Sequence, residues 1–196
     1  MHITGTIASF NWDTSASSVA SSQVHLTNQN YDICIRRTRG YCSVCYDPVI
    51  TTTTASFGLS SVSADGPTLK SSVEEQCLGI TEINPTAASS VAMGDYLEIA
   101  ALQPGTGTST TVVGVSRICG VQWNANPSNT ETSHATACSY SVPFRVGVHF
   151  DELDIIQTST IAAIAGTMDA VENVAASSNS GIGYQGFYLN YWQNSC

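Results

Sequence analysis

Apolar and polar residues alternate along several short stretches of the chain, which is the pattern of half-buried β-strands. The clearest is residues 143–150, where four apolar side chains share one face of an extended chain: Phe144, Val146, Val148 and Phe150. His149 points to the opposite, outward face. Similar patterns occupy residues 5–10, 31–36, 41–46, 51–60, 96–99, 112–117 and 187–192. The sequence therefore predicts about eight to ten short strands in an antiparallel sandwich.

Residues 94–120 predict a β-hairpin. Tyr96 and Glu98 face one way along its first strand, and a loop of Gly, Pro, Ser and Thr at residues 104–111 leads into the returning strand. That strand ends at Cys119, which is placed to reach another segment, and Cys77 is its natural partner.

Residues 155–178 have a helical pattern instead. Apolar side chains recur there at helical spacing: Ile161, Ile164, Ala165, Met168, Val171 and Ala175. We predict a short amphipathic helix that packs on the domain, with a contact between copies of the chain as the alternative. One further helical turn is predicted at residues 72–76.

The charge balance narrows the class of partner. Six Lys and Arg against fifteen Asp and Glu give a formal net charge of -9, which disfavours nucleic acid because phosphates need a basic surface. A calcium site, a cationic partner or solubility alone would suit this charge. Arg36, Arg37 and Arg39 form the one basic cluster, and a solvated turn between strands is its favoured interpretation over a ligand site.

Seven cysteines spread from Cys34 to Cys196 predict disulfides rather than a zinc site. Only Cys42 and Cys45 have metal-ligand spacing, and no second such pair completes four ligands. On an extended chain these two point to opposite faces, so each should bond a different partner. Disulfides indicate an oxidising compartment, and we therefore expect a secreted, extracellular protein.

Targeting and catalytic signals are weak. Residues 1–10 lack the pattern of a signal peptide, and no apolar run of about 18 residues predicts a membrane span. We expect a mature or excised piece of a longer protein.

The GxSxG motif of serine hydrolases fails at residues 114–118, and the four histidines are scattered. The carboxylates of Asp151, Glu152 and Asp154 suit solvent or a metal better than glycosidase chemistry, so we expect no enzyme.

Several motifs occur in order along the chain: residues 30–35 (NYDICI), Cys77, 95–99 (DYLEI), 117–120 (RICG), 143–144, 148–151 and 186–189 (GFYL). This order resembles a CUB domain, in which cysteine strands, an Asp-Tyr-Leu-x-Ile strand, an apolar strand ending in Asp and a closing Gly-Phe strand follow one another. Residues 28–42 and 191–196 are similar to the cysteine-enriched CUB variants of arthropod secreted proteins.

The resemblance implies a single domain over residues 1–196, with an all-β, two-sheet antiparallel jelly-roll-like sandwich. It implies a disulfide between Cys77 and Cys119, and it implies that Cys34 pairs with a cysteine that the chain lacks. The partner of Cys34 would then lie upstream or on another chain. Four cysteines remain for two bridges, in which Cys42 and Cys45 bond Cys138 and Cys196 in either order.

The resemblance also implies a calcium site. Asp95 and Asp151 match two acidic ligands of the family, and Glu75, beside Glu74, stands near the position of the third. The segment between Cys77 and Asp95 is longer than in the family. Calcium takes six or more oxygen ligands, so Asp154 is a further candidate. The alternative is that Asp95 and Asp151 cap loops through backbone hydrogen bonds.

These observations favour an extracellular, non-catalytic module that binds a protein or glycan through its loop ends, with assistance from calcium. The first alternative is a self-assembling structural subunit of a matrix, secretion or filament, because low charge, threonine-rich strands and an unpaired cysteine suit assembly through strand edges. The second alternative is the accessory domain of a secreted protease.

Overall fold

The computed structural model describes residues 3–13, 25–49, 56–59, 71–73, 77, 95–105, 114–120, 122–126, 133–150 and 186–196. These contain ten strands: β1 (Ile3–Ala8), β2 (Gln29–Cys34), β3 (Tyr41–Pro48), β4 (Phe57–Gly58), β5 (Ser71–Val73), β6 (Tyr96–Pro104), β7 (Val115–Gly120), β8 (Ala137–Ser139), β9 (Arg145–Phe150) and β10 (Gly186–Ser195). Within these residues the prediction of an all-β fold is confirmed.

The two predicted helical segments, residues 155–178 and 72–76, are not confirmed. The helix predicted at residues 155–178 lies outside the described residues, and the described part of the chain contains no helix long and apolar enough to cross a membrane. The helical turn predicted at residues 72–76 is wrong where the structure describes it. Ser72 and Val73 belong to β5, because their backbone pairs with Cys119 and Ile118 of β7. Residues 74–76 lie outside the described range.

The strands join into one barrel-like sheet, whereas the resemblance implied two separate sheets. β10 pairs with β1 and β3, β3 pairs with β8, and β8 pairs with β6, which pairs with β7. The start of β10 also pairs with β4, and Leu59, next to β4, bridges to Gly120 at the end of β7. This path of hydrogen bonds returns to β10, so the sheet closes on itself.

A bend in β6 allows this closure. Its first half, Tyr96 to Glu98, pairs with β9, and β9 in turn pairs with β2. Its second half, from Leu102 to Pro104, pairs with β8 instead. Between the halves the register shifts, and Ala101 has a positive φ of 51°. Such local irregularities turn a strand from one neighbour to another.

The inward faces of the strands form one hydrophobic core. All four apolar side chains of the stretch at residues 143–150 are buried, which confirms the predicted face. Trp123 is fully buried between Phe57, whose ring meets it edge-on at 5.2 Å, and Tyr46, whose carbonyl accepts a hydrogen bond from the indole Nε1–H at 3.2 Å. Burial of a hydrogen-bonded indole stabilises this end of the core.

Candidate functional site

Three disulfides hold the barrel together, as expected of a cysteine-rich chain. Cys77 bonds Cys119, Cys42 bonds Cys196, and Cys45 bonds Cys138. Cys42 and Cys45 thus have different partners. The seventh cysteine, Cys34, is free and exposed at the end of β2.

Asp95, the first of the residues predicted to bind calcium, is buried at the start of β6 and is 1 % exposed. Its Oδ2 lies 2.7 Å from Nε2 of His25, and both side chains are withdrawn from water. The ring of His25 packs 4.3 Å from that of Phe150. A buried carboxylate requires a partner of this kind, so the pair ties the segment before β2 to the start of β6.

The rest of the predicted calcium site lies outside the described residues. This applies to Glu75 and Asp151 and to the additional candidates Glu74 and Asp154. Within the described part of the chain, no three His, Cys, Asp or Glu side chains lie close enough together to hold a metal ion. The structure places the imidazole of His25 beside Asp95, and the set of calcium ligands stays a prediction.

A charged cluster lies on the outer face of β2, β9 and β6. We call it the Arg145 cluster, and it consists of Asp32, Glu98, Arg145 and His149. Arg145 bridges the two carboxylates, with Nη1 3.3 Å from Asp32 Oδ2 and Nη2 2.9 Å from Glu98 Oε1. Gly147 pairs with both Asp32 and Glu98, and its missing side chain leaves room for them to converge. These pairs are partly exposed and link three strands, each contributing a few tenths of a kcal/mol up to about 1 kcal/mol.

An aromatic contact extends this face. The ring of Tyr96 stacks on His149 at 4.7 Å and carries the guanidinium of Arg117, from the strand on its other edge, at 5.7 Å. Tyr96 and Glu98 therefore share the outer face, as their alternation predicted. Arg145 contacts two carboxylates, and Arg117 contacts an aromatic ring. We therefore assign both cations a role in stabilising the contacts between neighbouring strands.

The loop between β2 and β3 carries the three clustered arginines, and Gln193 of β10 fixes its backbone. The Gln193 side chain is 1 % exposed. Its Oε1 accepts a hydrogen bond from the Thr38 N–H at 2.9 Å, and its Nε2 donates to the Arg36 carbonyl at 2.9 Å. Cys196 N–H donates to the Gly40 carbonyl, and the Cys42–Cys196 disulfide lies directly beyond. Arg36, Arg37 and Arg39 themselves are exposed.

The loop between β8 and β9 runs beside it. β2 pairs with β9, and β3 pairs with β8. Each of the two loops therefore leads between the β2–β9 pair and the β3–β8 pair. The Ile35 N–H donates to the Phe144 carbonyl at 2.9 Å, which brings the two loops together where one starts and the other ends. Tyr140 and Val142 are 60 % and 54 % exposed here. We call this surface, made of Arg36, Arg37, Arg39, Tyr140 and Val142, the arginine-loop end.

The three described histidines have structural partners. His25 contacts Asp95, and His149 stacks on Tyr96. His134 accepts a hydrogen bond at Nδ1 from the Trp123 backbone N–H at 2.9 Å, and burial lowers its pKa to about 4. None of these roles was visible in the sequence, because each depends on a residue distant along the chain, except that the alternation around Phe150 placed His149 outward.

A family model for the animal CUB domain matches residues 1–194 of the chain. No curated protein and no solved structure matches the chain.

Proposed function

Because the chain belongs to the animal CUB domain family, we propose that it is a non-catalytic extracellular module that binds a protein partner through the arginine-loop end of its barrel. CUB domains are generally interaction modules without catalytic activity, and three disulfides are typical of extracellular proteins.

One observation carries the choice of this surface: its side chains are exposed while its backbone is fixed. Of the four large apolar residues exposed in the described part of the chain, Tyr140 and Val142 belong to one loop. Tyrosine and arginine are enriched among the residues that dominate binding energy at protein interfaces. A backbone held by Gln193 loses little conformational entropy when a partner binds, which favours affinity.

Site-specific photo-cross-linking tests this proposal. A benzophenone amino acid replaces Val142 in the intact protein, which is then mixed with extracellular fluid of the source organism and irradiated. The matched control carries the same group at Asn190, an exposed position in the middle of β10. We expect a defined protein adduct from position 142 that is absent from position 190. Equal adducts at both positions, or none at position 142, would remove the support for this surface.

Self-assembly is a second candidate because of the position of Cys34. This free, exposed thiol lies on β2, which pairs only with β9 among the described strands. An intermolecular disulfide would join two copies at this edge. Size-exclusion chromatography with light scattering, on the wild type and on Cys34→Ser under non-reducing conditions, tests it. A monomeric wild type counts against assembly.

A further inference from the structure

We infer that the partner segment recognised by the arginine-loop end is an acidic stretch of polypeptide that also carries apolar side chains. This inference rests on the proposed function and adds to it the chemistry of the partner. Its basis is that cations without an acidic partner among the described residues share one fixed surface with exposed apolar groups.

The arginines of this surface have no acidic partner in the part of the chain that the structure describes. Among the described residues, no carboxylate lies within ion-pair distance of Arg36, Arg37 or Arg39, whereas Arg145 has two. The three arginines are half of the six Lys and Arg residues of a chain whose net charge is -9. A cluster of this sign on an acidic protein attracts carboxylates of a partner and repels cationic partners.

The guanidinium of Arg37 is partly positioned in advance. Its Nε donates to the Tyr41 carbonyl at 2.6 Å, and the Tyr41 N–H donates back to the Thr38 carbonyl at 3.1 Å. The terminal nitrogens of Arg37 have no bond to any other described residue. Guanidinium nitrogens held in this way match the two oxygens of a carboxylate.

The apolar part of the surface selects a polypeptide over a sulfated polysaccharide. The Ser139 hydroxyl accepts a hydrogen bond from the Ser141 N–H at 3.2 Å and donates to the Ala100 carbonyl, so the loop that presents Tyr140 and Val142 is itself anchored. Apolar side chains of a peptide would gain by covering these residues. A sulfated polysaccharide is a dense polyanion, and the net charge of -9 opposes its approach at long range.

Fluorescence polarisation with short labelled peptides tests the inference on the intact protein. The first peptide alternates Asp or Glu with Leu, the second replaces Leu with Ser, and the third replaces the acids with Asn or Gln. We expect binding of the first peptide only, with affinity that falls between about 50 mM and about 1 M salt as the screening length shortens. A heparin-derived oligosaccharide is the fourth probe, and we expect it to bind more weakly than the first peptide.

Two sets of variants locate the site. We expect Arg36→Gln/Arg37→Gln/Arg39→Gln and, separately, Tyr140→Ser/Val142→Ser to weaken binding of the first peptide by about tenfold or more each. A control places three acidic residues at exposed positions elsewhere: Thr6→Glu/Thr27→Glu/Asn30→Glu. The arginine variant and the control both change the net charge from -9 to -12, since each shifts it by three. We expect the control to bind nearly as well as the wild type.

The inference is overturned if no acidic–apolar peptide binds, if the arginine variant binds like the control, or if the Tyr140 and Val142 changes have no effect. It is also overturned if the oligosaccharide binds more tightly than the first peptide. None of these results contradicts a cross-link from position 142, which tests the proposed function separately. A melting curve of each variant verifies that it is folded.

Discussion

His134 is expected to make the stability of the domain depend on pH in the mildly acidic range. Burial lowers the pKa of this imidazole from its ordinary 6.5 to about 4, so the folded protein keeps the ring neutral where the unfolded chain protonates it. The Nδ1 atom must also stay unprotonated to accept the hydrogen bond from the Trp123 N–H. The stability that the neutral His134 ring contributes is therefore complete above pH 6.5 and is lost as the pH falls toward 4. Below pH 4 this contribution changes no further.

The size of this effect follows from the two pKa values. The fall of the His134 pKa from 6.5 to about 4 corresponds to about 3 kcal/mol of stability, since each pKa unit is worth about 1.36 kcal/mol. The ring of His134 keeps partial contact with water, and solvent screening reduces such interactions. We therefore expect a loss of about 1.5 kcal/mol in the free energy of unfolding.

Urea unfolding of the wild type and of His134→Asn, measured across this pH range, isolates the effect. Asparagine cannot titrate there, and its side-chain oxygen is able to accept the hydrogen bond from Trp123. Other titrating groups are common to both proteins and cancel in the difference. We expect the wild type to lose stability relative to the variant between pH 6.5 and 4. Parallel curves for the two proteins would refute the assignment of this pH dependence to His134.

Three further outcomes are expected. Gln193→Leu leaves a partly buried loop amide and carbonyl without the Gln193 side chain as partner and should lower the free energy of unfolding by about 1–2 kcal/mol. Trypsin should also cleave the arginine loop faster, while Asn190→Ala on the same strand should change either measurement little. Trp123→Phe removes the hydrogen bond to the Tyr46 carbonyl and should cost about 1–3 kcal/mol in urea unfolding. Calcium at about millimolar concentration should raise the Tm of the wild type but not of Asp95→Asn, and an unchanged wild-type Tm would reject the calcium site.

The strands that alternate strongly were predictable from the sequence. Val146 and Val148 lie on the buried face of β9, and Glu98 lies on the outer face of β6, because a side-chain period of two leaves only one way to bury the apolar residues. The order of motifs along the chain also identified the family before any contact was known.

Features that depend on distant residues were not predictable. β8 has only three residues, Ala137 to Ser139, which is too short to show an alternation, and its place follows from its pairing with β3 and β6. The bend at Ala101 requires a positive φ that alanine does not prefer, so tertiary contacts impose it. Likewise, nothing near Gln193 in the sequence indicates that its amide fixes the arginine loop.

The calcium prediction illustrates a similar limit. The motif around Asp95 correctly predicted the strand that begins at Tyr96, but a motif cannot reveal that a nitrogen of His25, seventy positions before Asp95, lies 2.7 Å from its carboxylate. The carboxylate of Asp95 can be interpreted as a metal ligand or as the partner of an imidazole. Choosing between the two requires knowledge of which segments the fold brings together.

The pairing of β10 with β1 and β3 determines when the domain can be completed during synthesis. Strand β1 finds its partner only after residues 188–193 have been translated, and Cys42 finds its partner only at Cys196. Until then Cys42 is exposed to oxidation while Cys45 and Cys138 are already available, so a wrong bridge can form first. Gln193 also arrives among the last residues. The arginine loop, made early, therefore acquires its final contacts only after Gln193 has been translated, and a wrong bridge formed before Cys196 is available would have to be undone by disulfide exchange.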